Sequence, residues 1–233
     1  MSESDDVLAI PLWINGRAYL TMAPAFFDVR DARSGQVRRR TPLCGASEAQ
    51  AAVASAQDAL PAWAALTLAA RASLLIALAD ALAEHAAHFA GLIGEETGKD
   101  AASAAAEVEA ALGLLRARPT STAATGSDVV AVVSDDRAPL LGPLQRAVPL
   151  LLAGATVVLK PSPKAPSAAF ALAELTARSG FPGGVVNLLQ GDLAAIEGLC
   201  AAKGVSRLLF AGDPALGSKV AAIAARHGKP FGE

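Results

Sequence analysis

Few residues in this chain of 233 could do chemistry, and their spacing decides what each is suited to. The thiols are Cys44 and Cys200. A thiolate is a nucleophile or a metal ligand, but these two stand far apart with no partner motif, so both read as small buried hydrophobes. His85 and His88 have a spacing that permits a shared metal on a helix. With no third ligand nearby they read as solvated helix positions, and no metal site is predicted. The basic run Arg38-Arg39-Arg40 reads as a solvated strand end rather than an anion site. More informative is Phe210-Ala211-Gly212-Asp213-Pro214, with Gly217 following. Free N–H groups at a helix start attract anions. Here, however, Asp213 is itself a favoured N-cap and Pro214 a favoured first helical residue, so the carboxylate is placed to take those N–H groups. Capping is expected at this position in preference to phosphate contact.

The elements that must position these residues can be read from the pattern. Residues 12–44 form short strands with turns at Asn15-Gly16 and Ser34-Gly35, a peripheral β layer. Ser47 with Gln50 has capping-box spacing, and helices follow to about residue 117, with Pro61 expected to break the first and Gly98 to end another. Ala101 to Ala117 carries apolar residues at helical spacing, with Glu107 and Glu109 predicted to face outward. From Arg118 to Ser127 the composition becomes that of a loop or linker. Strand–helix alternation then begins: strands over 128–134, 155–159, 185–189 and 207–210, and helices ending at Leu152 and over 167–179, 193–202 and 214–227. Apolar, β-branched strands in such an alternation call for a parallel sheet covered on both faces by helices. Gly154, Gly180 and Gly228 stand where those helices end. The predicted fold class is α/β: a Rossmann-like parallel sheet, residues 128–233, preceded by a small β segment and helices, residues 1–117, that pack on it as one unit.

Composition narrows the function classes. Apolar residues make up 53% of the chain, enough for a large core, and 20 Lys+Arg against 22 Asp+Glu leave no general attraction to nucleic acid. The start, Met1-Ser2-Glu3-Ser4-Asp5-Asp6, is acidic where a signal peptide is basic, no apolar run reaches membrane-spanning length, and a cytoplasmic location is expected.

Several blocks in order resemble one family. They are Ile14-Asn15-Gly16; the segment with Asp31, Ala32 and Gly35; the helical run with Trp63, Arg71, Ala79, Asp80 and Leu82; Glu96-Thr97-Gly98-Lys99; Pro149 through Ser162; Gly180 through Gly191; and the Phe210 to Gly217 block. On these the chain resembles the aldehyde dehydrogenase superfamily, in its amino-terminal, NAD(P)-binding half, and is similar to the non-catalytic aldehyde dehydrogenase-like domains of long proline utilisation A proteins. The resemblance implies a sequence that stops before the catalytic cysteine, so no catalytic residue is assigned. It puts cofactor contact at Lys160, Ser162, Gly212, Asp213 and Gly217, with Lys160 near the adenosine ribose. Pro163 stands where NAD-preferring members often carry a glutamate, and Asp213 replaces the family's serine at the pyrophosphate. Where the family's oxyanion asparagine belongs, this chain has Asp136-Arg137-Ala138-Pro139; Arg137 could bind an anion but cannot stand in for a neutral carboxamide. Glu233 approaches the family's glutamate segment only if one residue is deleted, and the stretch from Lys99 to Asp136 is short for the family's oligomerisation strands. The resemblance therefore implies a degenerate cofactor site, with no cofactor, or with NAD or NADP if the site is retained. It implies a non-catalytic subunit that forms a homo-oligomer or a complex with a catalytic aldehyde dehydrogenase through an apolar face of the nucleotide half. The alternatives are the NAD(P)-binding half of a split dehydrogenase, and a sequence that continues in a longer enzyme.

Overall fold

The computed structural model describes residues 7–117 and 128–232; the acidic start, the loop expected at 118–127 and Glu233 lie outside the described residues. The first strands, β1 (Leu12–Ile14) and β2 (Arg17–Tyr19), form a hairpin, and β3 (Phe26–Arg30) and β4 (Val37–Pro42) form a second one. Asn15 and Gly16 both take positive φ, 54° and 71°, as a two-residue hairpin turn of this hand requires. The expected peripheral layer needs one correction: β1 pairs with a strand of the main sheet at Trp13–Leu188, so the first hairpin extends that sheet and only β3–β4 stands apart.

Helices α1 (Ala46–Ala65), α2 (Leu68–Glu84), α3 (Ala86–Thr97) and α4 (Ala101–Arg116) follow. Helix α1 differs from the sequence reading at both ends. Its N-cap is Gly45, two residues earlier than Ser47 and Gln50 implied, and the side chain that reaches back is Glu48, accepting from Gly45 N at 3.1 Å. Pro61 does not break it. Proline removes one helical hydrogen bond, but the turn beyond it carries the fully buried Trp63, which stacks on Phe181 at 5.5 Å between ring centroids and donates through Nε1 to Leu151 O at 3.2 Å. Packing holds that turn in place. His85 and His88 are both exposed, as expected, but His85 is the cap between α2 and α3 and not an interior helix position. Among the described residues no cluster of His, Cys, Asp and Glu could hold a metal, and no single helix is long and apolar enough to cross a membrane.

The alternating half comprises β5 (Val129–Ser134), α5 (Leu141–Ala153), β6 (Thr156–Lys160), α6 (Ser167–Arg178), β7 (Val186–Leu188), α7 (Leu193–Ala201), β8 (Val205–Ala211), α8 (Pro214–Arg226) and β9 (Phe231–Gly232). These bounds agree with the sequence expectation to within a few residues. The sheet runs β2-β1-β7-β6-β5-β8-β9, parallel from β7 to β9. Successive side chains on a strand face opposite sides, and β5 shows the result. Val130 and Val132 join the core beneath α2–α6, while Val129, Ala131 and Val133 join the core beneath α1, α7 and α8. Burial on both faces explains why β5 reads as an unbroken apolar run.

The large apolar side chains left exposed among the described residues are Leu8, Tyr19, Leu20, Met22, Phe26 and Leu193. All but Leu193 precede residue 27.

Candidate functional site

The chain leaves β5 towards β6 and β7 on one side, then crosses back to β8 on the other. At such a reversal the crevice outside the carboxyl ends of the strands is the usual ligand position in open α/β sheets, and here the loops after β5 and β8 are joined across it by the Arg137–Asp213 ion pair. The residues at this edge are Ser134 to Arg137 after β5, Lys160 to Ser162 after β6, and Gly212 and Asp213 after β8.

Asp213 caps α8 as its sequence implied. Its Oδ1 accepts from Ala215 N at 2.8 Å and from Leu216 N at 3.3 Å, and its Oδ2 is ion-paired with Nη2 of Arg137. Beneath them the buried Asp135 holds both partners by their backbones, accepting from Arg137 N at 3.0 Å and from Asp213 N at 2.6 Å. Gly212 allows that approach: with φ 154°, it leaves room only for hydrogen, since a Cβ there would fall 2.3 Å from Asp135 Cγ. Lys99 fixes the loop from the other side. Its Nζ donates to Arg137 O at 2.6 Å and to Glu107 Oε2 at 2.5 Å. Gly217 lies buried in the first turn of α8, its N–H bonded to Asp213 O at 2.8 Å.

Glu107 was expected to face solvent. It is buried instead, and its Oε1 accepts from Leu140 N at 2.9 Å and Leu141 N at 3.1 Å, capping α5 from another helix. The signal was present in the spacing, because Ala104, Glu107, Val108 and Ala111 form the buried stripe of α4. Glu96 does the same for α6, accepting from Ser167 N at 3.1 Å and from Ser167 Oγ, with Arg39 Nη1 at 3.5 Å behind it. Burial outweighs these favourable contacts and pushes the Glu96 carboxyl up to about 7. Helix α7 is capped by Asp192, which accepts from Ala194 N at 3.1 Å. All four helices of this half thus begin at a carboxylate. Asp135 and Asp192 were not singled out from sequence, and Lys99, Glu107 and Glu96 were named there without these roles; Asp135 at least is marked by its place just past an apolar strand.

Lys160 is buried at the end of β6, where burial pulls its ammonium down to about 8 against the opposing pull of the Asp192 carboxylate. Ser162 is buried too and turns inward on its own loop, its Oγ accepting from Lys164 N at 3.3 Å. The structure therefore splits the five positions expected at a cofactor. Gly212, Asp213 and Gly217 share the β5–β8 crevice, while Lys160 and Ser162 line the neighbouring β6 end. Cys44 and Cys200 lie in the core under α1, α7 and α8. Burial raises their thiols to about 12 and about 11, far from the range of an activated nucleophile.

The order of the parallel strands and the reversal at β5 define an α/β protein of Rossmann-like fold. The sequence matches the aldehyde dehydrogenase family over residues 20–138 and 128–232, and the chain belongs to that family. It is 34% identical over 224 residues to the N-succinylglutamate 5-semialdehyde dehydrogenase of Klebsiella pneumoniae, covering 88% of this chain and 45% of that protein. Lactaldehyde dehydrogenase from Escherichia coli superposes with a TM-score of 0.88 at 26% identity, over 97% of this chain and 51% of the other. PnpE, solved in complex with nicotinamide adenine dinucleotide, superposes with a TM-score of 0.86 at 28% identity, over 95% and 50%. The chain spans about half the length of these relatives.

The crevice can be tested against a dinucleotide. The N–H groups at the start of α8 already have an acceptor, and two carboxylates, Asp135 and Asp213, stand against one guanidinium. A carboxylate about 4 Å from a phosphate oxygen costs about 4 kcal/mol at an effective dielectric near 20. The pyrophosphate end of a dinucleotide does not fit this arrangement. At the β6 end, Lys160 and Ser162, the positions expected at the adenosine, are buried polar groups.

Proposed function

We propose that this chain is a non-catalytic member of the aldehyde dehydrogenase family, acting in assembly or in covering and stabilising a catalytically competent dehydrogenase. The observation that carries this reading is the carboxylate of Asp213, which takes the N–H groups of α8 and pairs with Arg137 where a phosphate would lie. The exposed side chains of Leu8, Tyr19, Leu20, Met22 and Phe26 support it, since exposed large apolar residues suit a contact surface.

Calorimetric titration with NAD+ and with NADP+ tests the first half of the reading. No heat of binding at millimolar cofactor is expected, and micromolar affinity would overturn it. Sedimentation of the pure protein, alone and with an aldehyde dehydrogenase, tests the second half: a complex is expected, and a bare monomer in both runs would refute the assembly role. A second reading, the NAD(P)-binding half of a split dehydrogenase that oxidises an aldehyde to a carboxylic acid with a cysteine from another chain, is favoured by Lys160 and Ser162 at the adenosine end. It requires the titration to give the opposite result.

A further inference from the structure

We infer that the hollow between the amino-terminal segment, α3 and α6 binds a small monocarboxylate with an apolar body, the carboxylate on Arg38 and the body against Ile10, Leu92 and Phe170. No residue of the β5–β8 crevice lines this hollow, so the inference goes beyond the reading given above and does not rest on it.

The basic run at the end of β4 divides into three environments. Between β3 and β4 the register passes from Val29–Arg39 to Arg30–Val37, which leaves Arg38 as the extra, unpaired residue of a bulge. A bulge bends its strand and re-aims a side chain. Arg38 and Arg39 accordingly both line the hollow, although neighbours on a regular strand face opposite sides. Arg39 is already engaged by Glu95 at 2.5 Å and Glu96 at 3.5 Å, and Arg40 by Asp28 at 3.5 Å. Arg38 is exposed and, among the described residues, forms no ion pair and no side-chain hydrogen bond.

The walls are apolar and fastened. Residues 8–10 run parallel to β4, with Arg40 N donating to Leu8 O at 3.0 Å and Ile10 N to Arg40 O at 2.8 Å. Ile10 is buried there, while Leu8 stays 81% exposed at the mouth. Across from them α3 supplies the buried Leu92, and α6 supplies Phe170, whose ring stands edge-on to Trp13 at 6.3 Å between centroids. The space is about 450 Å³, within the range of small-molecule sites, which combine apolar walls with a few charged groups. An unpaired guanidinium beside such walls suits a carboxylate, which it can hold by two parallel hydrogen bonds, and the apolar side chains are left for the body of the ligand. Glu174 of α6 lines the end that adjoins a second hollow at His85 and Arg178, a hollow Arg38 does not reach. A second carboxylate at that end meets a like charge, so a monocarboxylate is favoured over a dicarboxylate.

The test titrates octanoate and octanedioate calorimetrically into the native chain and into Arg38→Gln, Phe170→Ala and Glu174→Gln, each first shown to be folded by circular dichroism. Ala171→Met, which fills the hollow from α6, replaces F170A should that variant fail to fold. The native chain is expected to bind octanoate with a Kd of about 1 mM or tighter, and R38Q and F170A should each weaken it about tenfold. Octanedioate should bind the native chain several times more weakly than octanoate, and E174Q should close most of that gap. No saturable binding of millimolar octanoate by the folded native chain would overturn the inference. Unchanged affinity in R38Q would overturn the role given to Arg38, and unchanged affinity in folded F170A or A171M would overturn the location. Octanedioate binding as tightly as octanoate would overturn the selection by Glu174. None of these outcomes bears on the cofactor titration, which tests a different part of the molecule.

Discussion

Helices α5 and α6 and helices α7 and α8 all begin at the carboxyl edge of the sheet with a carboxylate on their first N–H groups, and each carboxylate has a cation in its vicinity. The pairs are Glu107 with Lys99, Glu96 with Arg39, Asp192 with Lys160, and Asp213 with Arg137. The source of the carboxylate divides them. For α5 and α6 it comes from α4 and α3, across the core, and is buried; for α7 and α8 it is the helix's own N-cap aspartate. The first kind fastens one layer of the molecule to another. The second is local, so it can change without disturbing the packing.

Glu107→Ala breaks this division most severely, because it strips two buried N–H groups and leaves Lys99 without its carboxylate. A loss of about 3–5 kcal/mol in urea unfolding is expected, and a loss below about 1 kcal/mol would place Glu107 with the local caps. Glu96 gives a pH signature. Its carboxyl titrates at about 7 in the folded protein against an ordinary 4.5, so the folded state holds the proton more tightly. Stability is then greatest below pH 4.5 as regards this group and falls as pH rises through 7, by up to about 3 kcal/mol. Glu96→Gln should flatten the unfolding free energy across that window. On the local side, Lys160 titrates at about 8 against an ordinary 10.5, so its buried charge opposes folding at neutral pH. Lys160→Met should stabilise the protein at pH 7 by up to about 3 kcal/mol and abolish the rise in stability between pH 8 and 10.5. The smallest effect belongs to Asp213→Ala, which removes a partly exposed cap and should lower stability by about 1 kcal/mol, read as a shift of a few degrees in Tm.

Of the local caps Asp213 was read from the sequence and Asp192 was not, and neither transferred cap was. Asp213-Pro214 announces a helix start by residue type alone, and the alternation of strands and helices from residue 128 onward is strong because each strand is apolar on both faces. Glu107 was assigned to solvent because a charged residue on an amphipathic helix is ordinarily exposed. Its stripe position pointed inward, but what rewards that burial, the N-terminus of α5, lies 33 residues away. The same holds for Glu96 and Ser167, separated by 71. Pro61 misled for a related reason: the interaction that keeps the turn beyond it helical is Trp63 against Phe181, a contact that no local pattern contains. In the site, Asp213 and Gly212 were readable, whereas Arg137 became interpretable only once the sheet order brought the loops after β5 and β8 together.

The long-range caps also bear on how the chain reaches this state. Helices α5 and α6 begin with N–H groups that their own sequence leaves unmet, so they gain full stability only after α3 and α4 have formed and docked. A polypeptide emerging from its amino terminus makes those two helices first, and closing the intervening loops adds an entropy that grows only slowly with length. The helical layer therefore serves as a template for the sheet that follows. Mutations at Glu96 or Glu107 should slow refolding as well as lower stability, whereas mutations at Asp213 should act mainly on unfolding.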